Sequence, residues 1–340
     1  MAGREELICL RYNGAMRQLA RPLIFALVFL LPLTAAVFLA VEGLRLRPPV
    51  VPLLPQQDET LVRAEVGNVA EAEALFQRLG YAWPPADGPS VPRIALDPLP
   101  ADYPAGLETR RKKALFFRAL LPLVLAENRA LRAQRQHLLR LRALGLPAQA
   151  GTASHAWLQD LLRRYRVSQE DGLAQAVERL LHRLDEIPPA LALAQAANES
   201  AWGTSRFARI ANNLFGQWTW QEEHGIVPAE RPEGERYLVR KFPSLRASVR
   251  DYLYNLNVGH AYVALRRMRH EMRASGEALD AMALAAGLSR YSERGEDYVE
   301  EIRRIIRGNR LERLSNVDLM PVEDARRLAL MLDRLSGGDG

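Results

Sequence analysis

Glu199 is the residue of this 340-residue sequence that is best placed for acid–base chemistry, because it ends an otherwise apolar segment. Pro188 and Pro189 suit the first turn of a helix, where their missing amide hydrogens would have no partner, and residues of high helix propensity follow. Gly203 is a candidate left-handed cap after Glu199. The carboxyl group would then lie in the last turn, where burial and the helix dipole both raise its pKa.

A carboxylic acid that stays protonated near neutral pH can donate its proton to a leaving group, so the segment predicts a general acid. Trp202, three residues on, would offer an apolar wall or a surface on which a sugar ring stacks. The same spacing also fits a solvent-facing glutamate at a helix end and an ordinary core tryptophan. Both interpretations remain open at this point.

Two short motifs carry a resemblance to a known family. Residues 198–203 read Asn-Glu-Ser-Ala-Trp-Gly, and residues 212–217 read Asn-Asn-Leu-Phe-Gly-Gln. Together they resemble the signature of endo-β-N-acetylglucosaminidases of glycoside hydrolase family 73, in the lysozyme-like superfamily, and most specifically its Bax-like branch. Residues 91–93, 111–124 and 234–242 are also similar to that branch. Ala201 stands where many relatives carry glycine, and we expect little effect because both residues are small.

The resemblance implies a mainly α, lysozyme-like domain with a short β-hairpin, acting on peptidoglycan glycan strands. It implies cleavage of the β-1,4 bond after N-acetylglucosamine, with Glu199 as general acid. Glycoside hydrolysis usually uses a second carboxylate, and Glu230, four residues before the turn glycine Gly234, fits the family position best. Glu235 and Glu233 are rivals, and all three could be solvated turn residues. The acetamido group of the substrate could assist if no carboxylate reaches the cleft.

The candidate substrate-binding residues are Trp202, Asn213, Phe215, Gln217, Trp218 and Tyr262, and Tyr262 lies where relatives of this family commonly carry a cleft tyrosine. Asn212, Asn213 and Gln217 could hydrogen-bond acetamido groups, whereas Phe215 more simply fixes the loop that bears them. Trp218, Trp220 and Tyr262 could line the cleft or pack in the core.

A mostly helical chain is predicted to position these residues. Leu107 to Gly145 forms a long helical segment that Pro122 should kink or split, and Ala156 to Ile187 forms a second helical group with a polar break near residues 167–172. Residues 243–266 and 277–312 again have helical patterns. Gln217 to Phe242 is the exception, and reads as a strand, a turn and another strand.

Pro22 to Val41 is a stretch of 20 residues without a charge, long enough as a helix to cross a bilayer of about 30 Å. It predicts an uncleaved transmembrane anchor, with a cleaved signal peptide as the alternative. Residues 1–21 would be cytoplasmic. The protein would then be a single-pass protein of the bacterial inner membrane with its catalytic domain in the periplasm.

The remaining boundaries follow from composition. Residues 42–104 are predicted as a Pro-rich spacer containing one helix over residues 68–79, with Asn68 as its cap; packing of this segment on the domain is equally consistent. Residues 105–150 form the long helical segment, residues 151–312 the catalytic domain, and residues 313–340 a C-terminal helix and tail.

Several classes of function are excluded by what the sequence lacks. The net charge of +6 is weak and no basic run interleaves with aromatic residues, which argues against nucleic-acid binding. The six histidines have no metal-ligand spacing and no phosphate-binding glycine loop occurs, so no metal or other cofactor is predicted. A lytic transglycosylase and a non-catalytic wall-binding module remain as alternatives to the hydrolase.

Overall fold

The computed structural model describes residues 60–143, 145, 153–228, 231 and 234–324. The predicted transmembrane segment Pro22–Val41 lies outside these residues, as do Glu230 and Glu233. None of the helices in the described ranges combines the length and the apolar character needed to cross a bilayer.

The described part of the chain is mainly helical, with seven short strands. Its α-helices are α1 (Val69–Arg78), α2 (Thr109–Ala143), α3 (Ala153–Arg164), α4 (Leu173–Arg183), α5 (Pro189–Glu199), α6 (Arg206–Ala211), α7 (Leu245–Val258), α8 (Val263–Ser275), α9 (Ala281–Leu284) and α10 (Glu296–Gly308). Its strands are β1 (Val62–Ala64), β2 (Gly88–Val91), β3 (Ile94–Leu96), β4 (Trp218–Thr219), β5 (Gly225–Ile226), β6 (Leu238–Arg240) and β7 (Val317–Leu319). Short 3-10 helices cover Glu222–His224, His260–Tyr262, Ala285–Leu288 and Leu311–Asn316.

The helix predicted after residue 67 is confirmed as α1. The side chain of Asn68 caps it by accepting a hydrogen bond of 3.0 Å from the backbone amide of Glu71. Its apolar face, Val69, Ala72, Leu75 and Phe76, is buried. Gly80 follows the helix with a φ of +62°, a left-handed conformation that glycine adopts without strain.

The described part of the predicted spacer, residues 60–104, packs on the domain. Its buried residues Phe76, Ile94 and Tyr103 belong to the same apolar core as Leu191 and Leu193 of α5. Strand β1 pairs in parallel with β3, and β2 pairs in parallel with β7. Of the two interpretations of this segment, packing back on the domain is the one that the fold adopts.

Helix α2 runs unbroken over 35 residues with Pro122 inside it, so of the kink or split predicted at this proline the split is wrong and the kink stays a prediction. A proline within a helix costs about 3 kcal/mol because it removes one hydrogen bond and crowds the preceding turn. The side chains of this stretch, from Leu115 to Asn128, are almost all buried against α5 and α7. Burial of this apolar surface offsets the local cost.

Helix α5 occupies the centre of the larger core. Residues 190–197 of this helix are buried on every side, as expected for a helix whose apolar residues are not confined to one face. A smaller core joins α3 and α4 to the end of α2, through residues such as Leu138, Leu162 and Leu180. The predicted break between α3 and α4 is confirmed.

The segment from Gln217 to Phe242 forms three short antiparallel strands rather than the predicted two. β6 lies between β4 and β5, with Trp218 and Ile226 both paired to Val239. A second difference lies at the C-terminal end, where β7 takes the place of the start of a predicted helix; residues 325–340 are outside the described part.

Candidate active site

Glu199 is the last residue of α5, as its sequence predicts. Pro188 precedes the helix and Pro189 occupies its first turn. The helix ends at Ser200, whose hydroxyl donates to the carbonyl of Ala196 and accepts a hydrogen bond of 2.7 Å from the amide of Gly203. The end of the helix is therefore fixed by a serine side chain that is fully buried.

The turn after Ser200 is left-handed at three successive residues, with φ of +49° at Ala201, +63° at Trp202 and +76° at Gly203. The predicted glycine cap is therefore only the last residue of a longer left-handed turn. An L-residue with a side chain pays roughly 1–2 kcal/mol for this conformation. The expectation that Ala201 in place of glycine has little effect considered side-chain size alone, whereas the positive φ at this residue gives a reason for an effect through the backbone.

Trp202 packs against α2. Its ring centre lies 6.0 Å from that of Phe116 and 5.3 Å from that of Phe117, both edge to face, and Lys113 Nζ lies 4.5 Å from its centre. Its carbonyl accepts a hydrogen bond of 2.6 Å from the hydroxyl of Tyr103. Trp202 is partly buried against the core by these contacts, and stacking of a sugar on its ring stays a prediction.

The two carboxylate oxygens of Glu199 have different surroundings. Oε1 accepts a hydrogen bond of 2.8 Å from the hydroxyl of Tyr298 and one of 3.3 Å from the side-chain amide of Asn198. Oε2 faces Gly216, where an added Cβ would lie 3.5 Å away. No hydrogen bond from a residue in the described ranges reaches Oε2, so this oxygen is the one available to a ligand.

A chain of buried hydrogen bonds continues behind Oε1. The hydroxyl of Tyr298 accepts a hydrogen bond of 2.9 Å from Gln195 Nε2, and Gln195 Oε1 accepts one of 2.6 Å from the hydroxyl of Tyr252. Gln195 lies one turn before Glu199 on the same face of α5. Our sequence analysis missed these three residues, although Gln195 is the single amide among residues 191–197.

Burial raises the pKa of Glu199, as predicted from its sequence position. The hydrogen bonds from Tyr298 and Asn198 and the positive charge of Arg294 act in the opposite direction, and the negative charge of Glu301 adds to the rise. Arg294 and Glu301 form an ion pair of 2.6 Å. Desolvation is the largest of these effects, so the neutral acid persists to a higher pH than in an exposed glutamate.

The side chain of Asn213 is buried and fully engaged in holding its own loop. Its amide donates to the carbonyls of Gln217 at 2.8 Å and Arg240 at 2.9 Å. Its oxygen accepts from the amides of Phe215 and Gln217. Both donors and both acceptor positions are used. Asn213 therefore positions the loop and has nothing left for the predicted bond to an acetamido group.

Gln217 is likewise held inside the protein. Its Nε2 donates a hydrogen bond of 2.7 Å to Asp251 on α7, and its Oε1 accepts from the hydroxyl of Ser248. Asp251 also pairs with Arg240 at 2.6 Å. The predicted contact of Gln217 with substrate is replaced by one that joins the loop to α7 and β6.

Phe215 fixes the loop against α7. Its ring stacks on that of Tyr252 at 3.9 Å, with the planes 7° apart. Its carbonyl accepts a hydrogen bond of 3.0 Å from the hydroxyl of Tyr291. The result is that Gly216 is held beside Glu199 Oε2.

The predicted aromatic residues divide into exposed and buried ones. Trp218 and Trp220 are 49% and 43% exposed on either side of buried Thr219, so their rings are accessible to a ligand. Tyr262 is buried beside Tyr291, with ring centres 5.8 Å apart. Burial raises the pKa of Tyr262 to about 12, and the charge of Glu199 contributes to the rise.

Comparison with known proteins places this site in a family. Residues 174–311 match the glucosaminidase family model, described as mannosyl-glycoprotein endo-beta-N-acetylglucosaminidase. Protein bax of Escherichia coli (strain K12) is 34% identical over 197 residues, which cover 58% of this chain and 68% of that protein. The chain belongs to the Bax-like glucosaminidase family.

A distant likeness to a solved structure was also found. The catalytic domain of the autolysin Auto from Listeria monocytogenes is 19% identical, and the match covers 52% of this chain and 96% of that chain with a TM-score of 0.30. That score is too low for any conclusion about this Bax-like glucosaminidase.

Family membership gives the class of reaction. This Bax-like glucosaminidase is a glycoside hydrolase, and its glucosaminidase domain supports peptidoglycan hydrolysis as the general activity. The matched residues include Glu199, the loop over residues 212–217 and Tyr298.

The second carboxylate predicted for this Bax-like glucosaminidase stays a prediction. Glu230 and its rival Glu233 lie outside the described residues, and Glu235 is exposed. Within the described ranges, no group of three or more His, Cys, Asp or Glu side chains is placed to hold a metal ion.

Proposed function

We propose that this protein hydrolyses peptidoglycan at the β-1,4 bond after N-acetylglucosamine, with Glu199 as the general acid. One observation carries the proposal: a partly buried carboxyl group has one oxygen held by Tyr298 and its other oxygen open beside Gly216. Because burial raises its pKa, this group keeps a proton at a pH where an exposed glutamate has lost it.

The proton on Glu199 would pass to the glycosidic oxygen as the bond from that oxygen to the sugar C1 breaks. The leaving sugar departs as an alcohol, and positive charge develops at C1. The new carboxylate is stabilised by its hydrogen bonds from Tyr298 and Asn198 and by the charge of Arg294. Water then adds at C1 and loses a proton to a basic group of the site, and Glu199 takes up a proton again, which completes hydrolysis.

The group that stabilises C1 or activates water would be Glu230. Its distance in sequence from Gly234 supports this choice, and the acetamido group of the substrate is the alternative. Replacement of Glu230, Glu233 and Glu235 by glutamine, one at a time, distinguishes them. Loss of activity in Glu230→Gln alone supports the proposal, whereas full activity in all three variants supports assistance by the acetamido group.

A lytic transglycosylase is the second candidate. That reaction needs a single acidic residue, and the second carboxylate stays a prediction, because Glu230 and Glu233 lie outside the described residues and Glu235 is exposed. Its products end in an anhydro sugar, which separates it from hydrolysis by mass.

The test is mass spectrometry of products after the full-length protein is incubated with purified peptidoglycan. Glu199→Gln is the matched control, because glutamine keeps the shape and cannot donate the acid proton. Reducing N-acetylglucosamine ends from the wild type alone support the proposal. Anhydromuramyl ends identify a transglycosylase, and unaltered peptidoglycan that sediments with both proteins identifies a binding module.

The proposal includes attachment to the bacterial inner membrane through Pro22–Val41. The uncharged stretch of 20 residues matches the hydrocarbon thickness of a bilayer, about 30 Å. With residues 1–21 in the cytoplasm, the catalytic domain would face the periplasm, where peptidoglycan lies.

A further inference from the structure

The hydrogen bonds behind Glu199 all run in one direction. Tyr252 donates to Gln195, Gln195 donates to Tyr298, and Tyr298 donates to Glu199 Oε1, over distances of 2.6, 2.9 and 2.8 Å. Gln195 is fully buried and Tyr252 and Tyr298 are almost fully buried. Water is therefore not available as an alternative partner for these groups.

The opposite direction is also conceivable for the same atoms. If the amide of Gln195 turned over, its Nε2 would donate to Tyr252 and its Oε1 would accept from Tyr298. Tyr298 would then have no proton for Glu199, and a protonated Glu199 would donate to Tyr298 through Oε1. The acid proton would point into the protein rather than toward the cleft.

Tyr252 decides between the two directions. Gln195 Oε1 is the one acceptor that its hydroxyl has among the described residues, so a turned amide would leave the buried tyrosine proton without a partner. An unsatisfied buried donor is costly. The amide oxygen must therefore face Tyr252, its nitrogen must face Tyr298, and the proton of Tyr298 must go to Glu199.

We propose that Tyr252, through Gln195 and Tyr298, keeps Glu199 Oε1 as a permanent acceptor, so that the transferable proton is carried by Oε2 at the open side facing Gly216. Asn198 supports this arrangement as a second donor to Oε1. Burial holds the pKa of Tyr298 well above its ordinary range, so its hydroxyl stays a donor. Gln195 and Tyr252 are positioning residues, since they act on Glu199 through Tyr298.

The use of this proton rests on the proposed function, but the direction of the hydrogen bonds is a property of the protein alone. The two can therefore be tested separately. The direct measurement is the pKa of Glu199 without substrate, from a ¹³C NMR titration of protein labelled at the glutamate carboxyl carbon. The signal of Glu199 is assigned by its absence from Glu199→Gln.

Tyr252→Phe is the test variant, because it keeps the ring on Phe215 and removes only the hydroxyl. The amide of Gln195 can then turn, and Glu199 loses the donor that favours its ionised form. We expect the pKa of Glu199 to rise by about one unit, the size of a lost hydrogen bond to a charged group. In an active enzyme, the basic limb of the pH–rate profile should move by the same amount.

Tyr254→Phe is the matched control. Tyr254 lies two residues later on α7, and its hydroxyl donates a hydrogen bond of 2.8 Å to the carbonyl of Arg164, away from Glu199. Tyr254→Phe loses the hydrogen bond to Arg164, and the pKa of Glu199 should not move. An unchanged pKa in Tyr252→Phe, or an equal rise in Tyr254→Phe, overturns the proposal.

If Tyr252→Phe fails to fold, Gln195→Met tests the same idea. Without the amide, Tyr298 can accept a hydrogen bond from the protonated acid, so the pKa of Glu199 should again rise, and an unchanged value overturns the proposal. If the pKa of Glu199 rises in these variants but the wild type leaves peptidoglycan uncut, the direction of the hydrogen bonds is supported and the hydrolase function is rejected. If the wild type cuts peptidoglycan but the pKa of Glu199 does not rise in the variants, the hydrolase function is supported and the direction of the hydrogen bonds is rejected.

Discussion

At the scale of the residue, Glu199 combines partial burial with a hydrogen bond from a tyrosine that is 99 positions away in sequence. Two effects on its pKa oppose each other, since burial raises it and the donors to Oε1 lower it. Burial is the larger, and the acid is poised for donation. The donors become useful after the proton has left, because they stabilise the carboxylate that remains.

The raised pKa also predicts how stability depends on pH. A carboxyl group whose pKa is higher in the folded than in the unfolded protein destabilises the fold when ionised. This penalty is absent at a pH below the pKa of the unfolded state, about 4.3 for glutamate. It is complete at a pH above the pKa of the folded state. Glu199→Gln should therefore melt at a higher temperature than the wild type near pH 8, and this difference should vanish near pH 4.

Thermal melts of both proteins across this pH range check the prediction. Glu235→Gln is the control, since Glu235 is exposed and should show no such pH-dependent gain. A Glu199→Gln protein that is no more stable than the wild type at pH 8 would contradict the view that burial dominates. Activity should fall in the same window, because the general acid is lost as pH rises through its raised pKa.

At the scale of the element, the left-handed turn after α5 holds a stored cost at Ala201, whose φ is +49°. Glycine adopts this conformation freely, although it also gains entropy in the unfolded chain. Ala201→Gly should therefore raise the free energy of unfolding by about 0.5–1 kcal/mol. Urea denaturation measures this change.

Ala174→Gly is the matched control for Ala201→Gly. Ala174 is exposed within α4, where the same substitution should cost about 1 kcal/mol through lower helix propensity. If Ala201→Gly also destabilised the protein, the strain assigned to this turn would be absent.

A substitution in the loop over residues 212–217 should reduce activity by more than its loss of stability explains. Gly216 has a φ of +65°, and a Cβ there would lie 3.5 Å from Glu199 Oε2. Gly216→Ala should lose about 1 kcal/mol of stability from backbone strain and at least about tenfold in kcat, because the methyl group occupies the open side of the acid.

Gly276→Ala is the control that distinguishes backbone strain from obstruction of Glu199 by the added methyl group. Gly276 follows α8 with a φ of +76°, and nothing lies within 4 Å of the position of its Cβ. It should lose similar stability and keep its activity. Equal activity in the two alanine variants, measured on purified peptidoglycan, would show that the open side of Glu199 is not where the substrate binds.

At the scale of the whole molecule, a segment near the start of the described chain pairs with a segment near its end. β2 pairs with β7, and buried Arg93 donates a hydrogen bond of 2.6 Å to the carbonyl of Met320. The segment from residue 60 to residue 104 thereby shares one core with α5. Of the predicted spacer, residues 42–104, the part from residue 60 onward therefore belongs to the domain.

The proposed anchor gives a direct prediction. Removal of residues 1–41 should move the protein from the membrane fraction to the soluble fraction of the cell, because the uncharged stretch Pro22–Val41 is lost. Full-length Glu199→Gln is the control and should stay with the membranes. Full-length protein in the soluble fraction would reject the anchor.

The sequence by itself determined the features that depend on near neighbours. Prolines at the start of α5, the alanines and leucines after them, and Asn68 before α1 act within one helical turn, so their effects can be predicted locally. The end of α5 at Glu199 and the two motifs around it were enough to identify the family. The helical breaks between α3 and α4 follow from the same local reasoning.

Only the tertiary structure decided how Glu199 is surrounded. Tyr298 of α10 donates to Glu199, and Tyr252 of α7 acts on it through Gln195. The hydrogen bonds of Gln195 to Tyr298 and Tyr252 join positions 103 and 57 apart in sequence. Such partners are set by how helices pack, which no local pattern encodes. The same holds for Asn213 and Gln217, whose polar groups were predicted to meet a substrate and instead meet the backbone of β6 and the side chains of α7, because a buried polar group bonds to whatever the fold brings within reach.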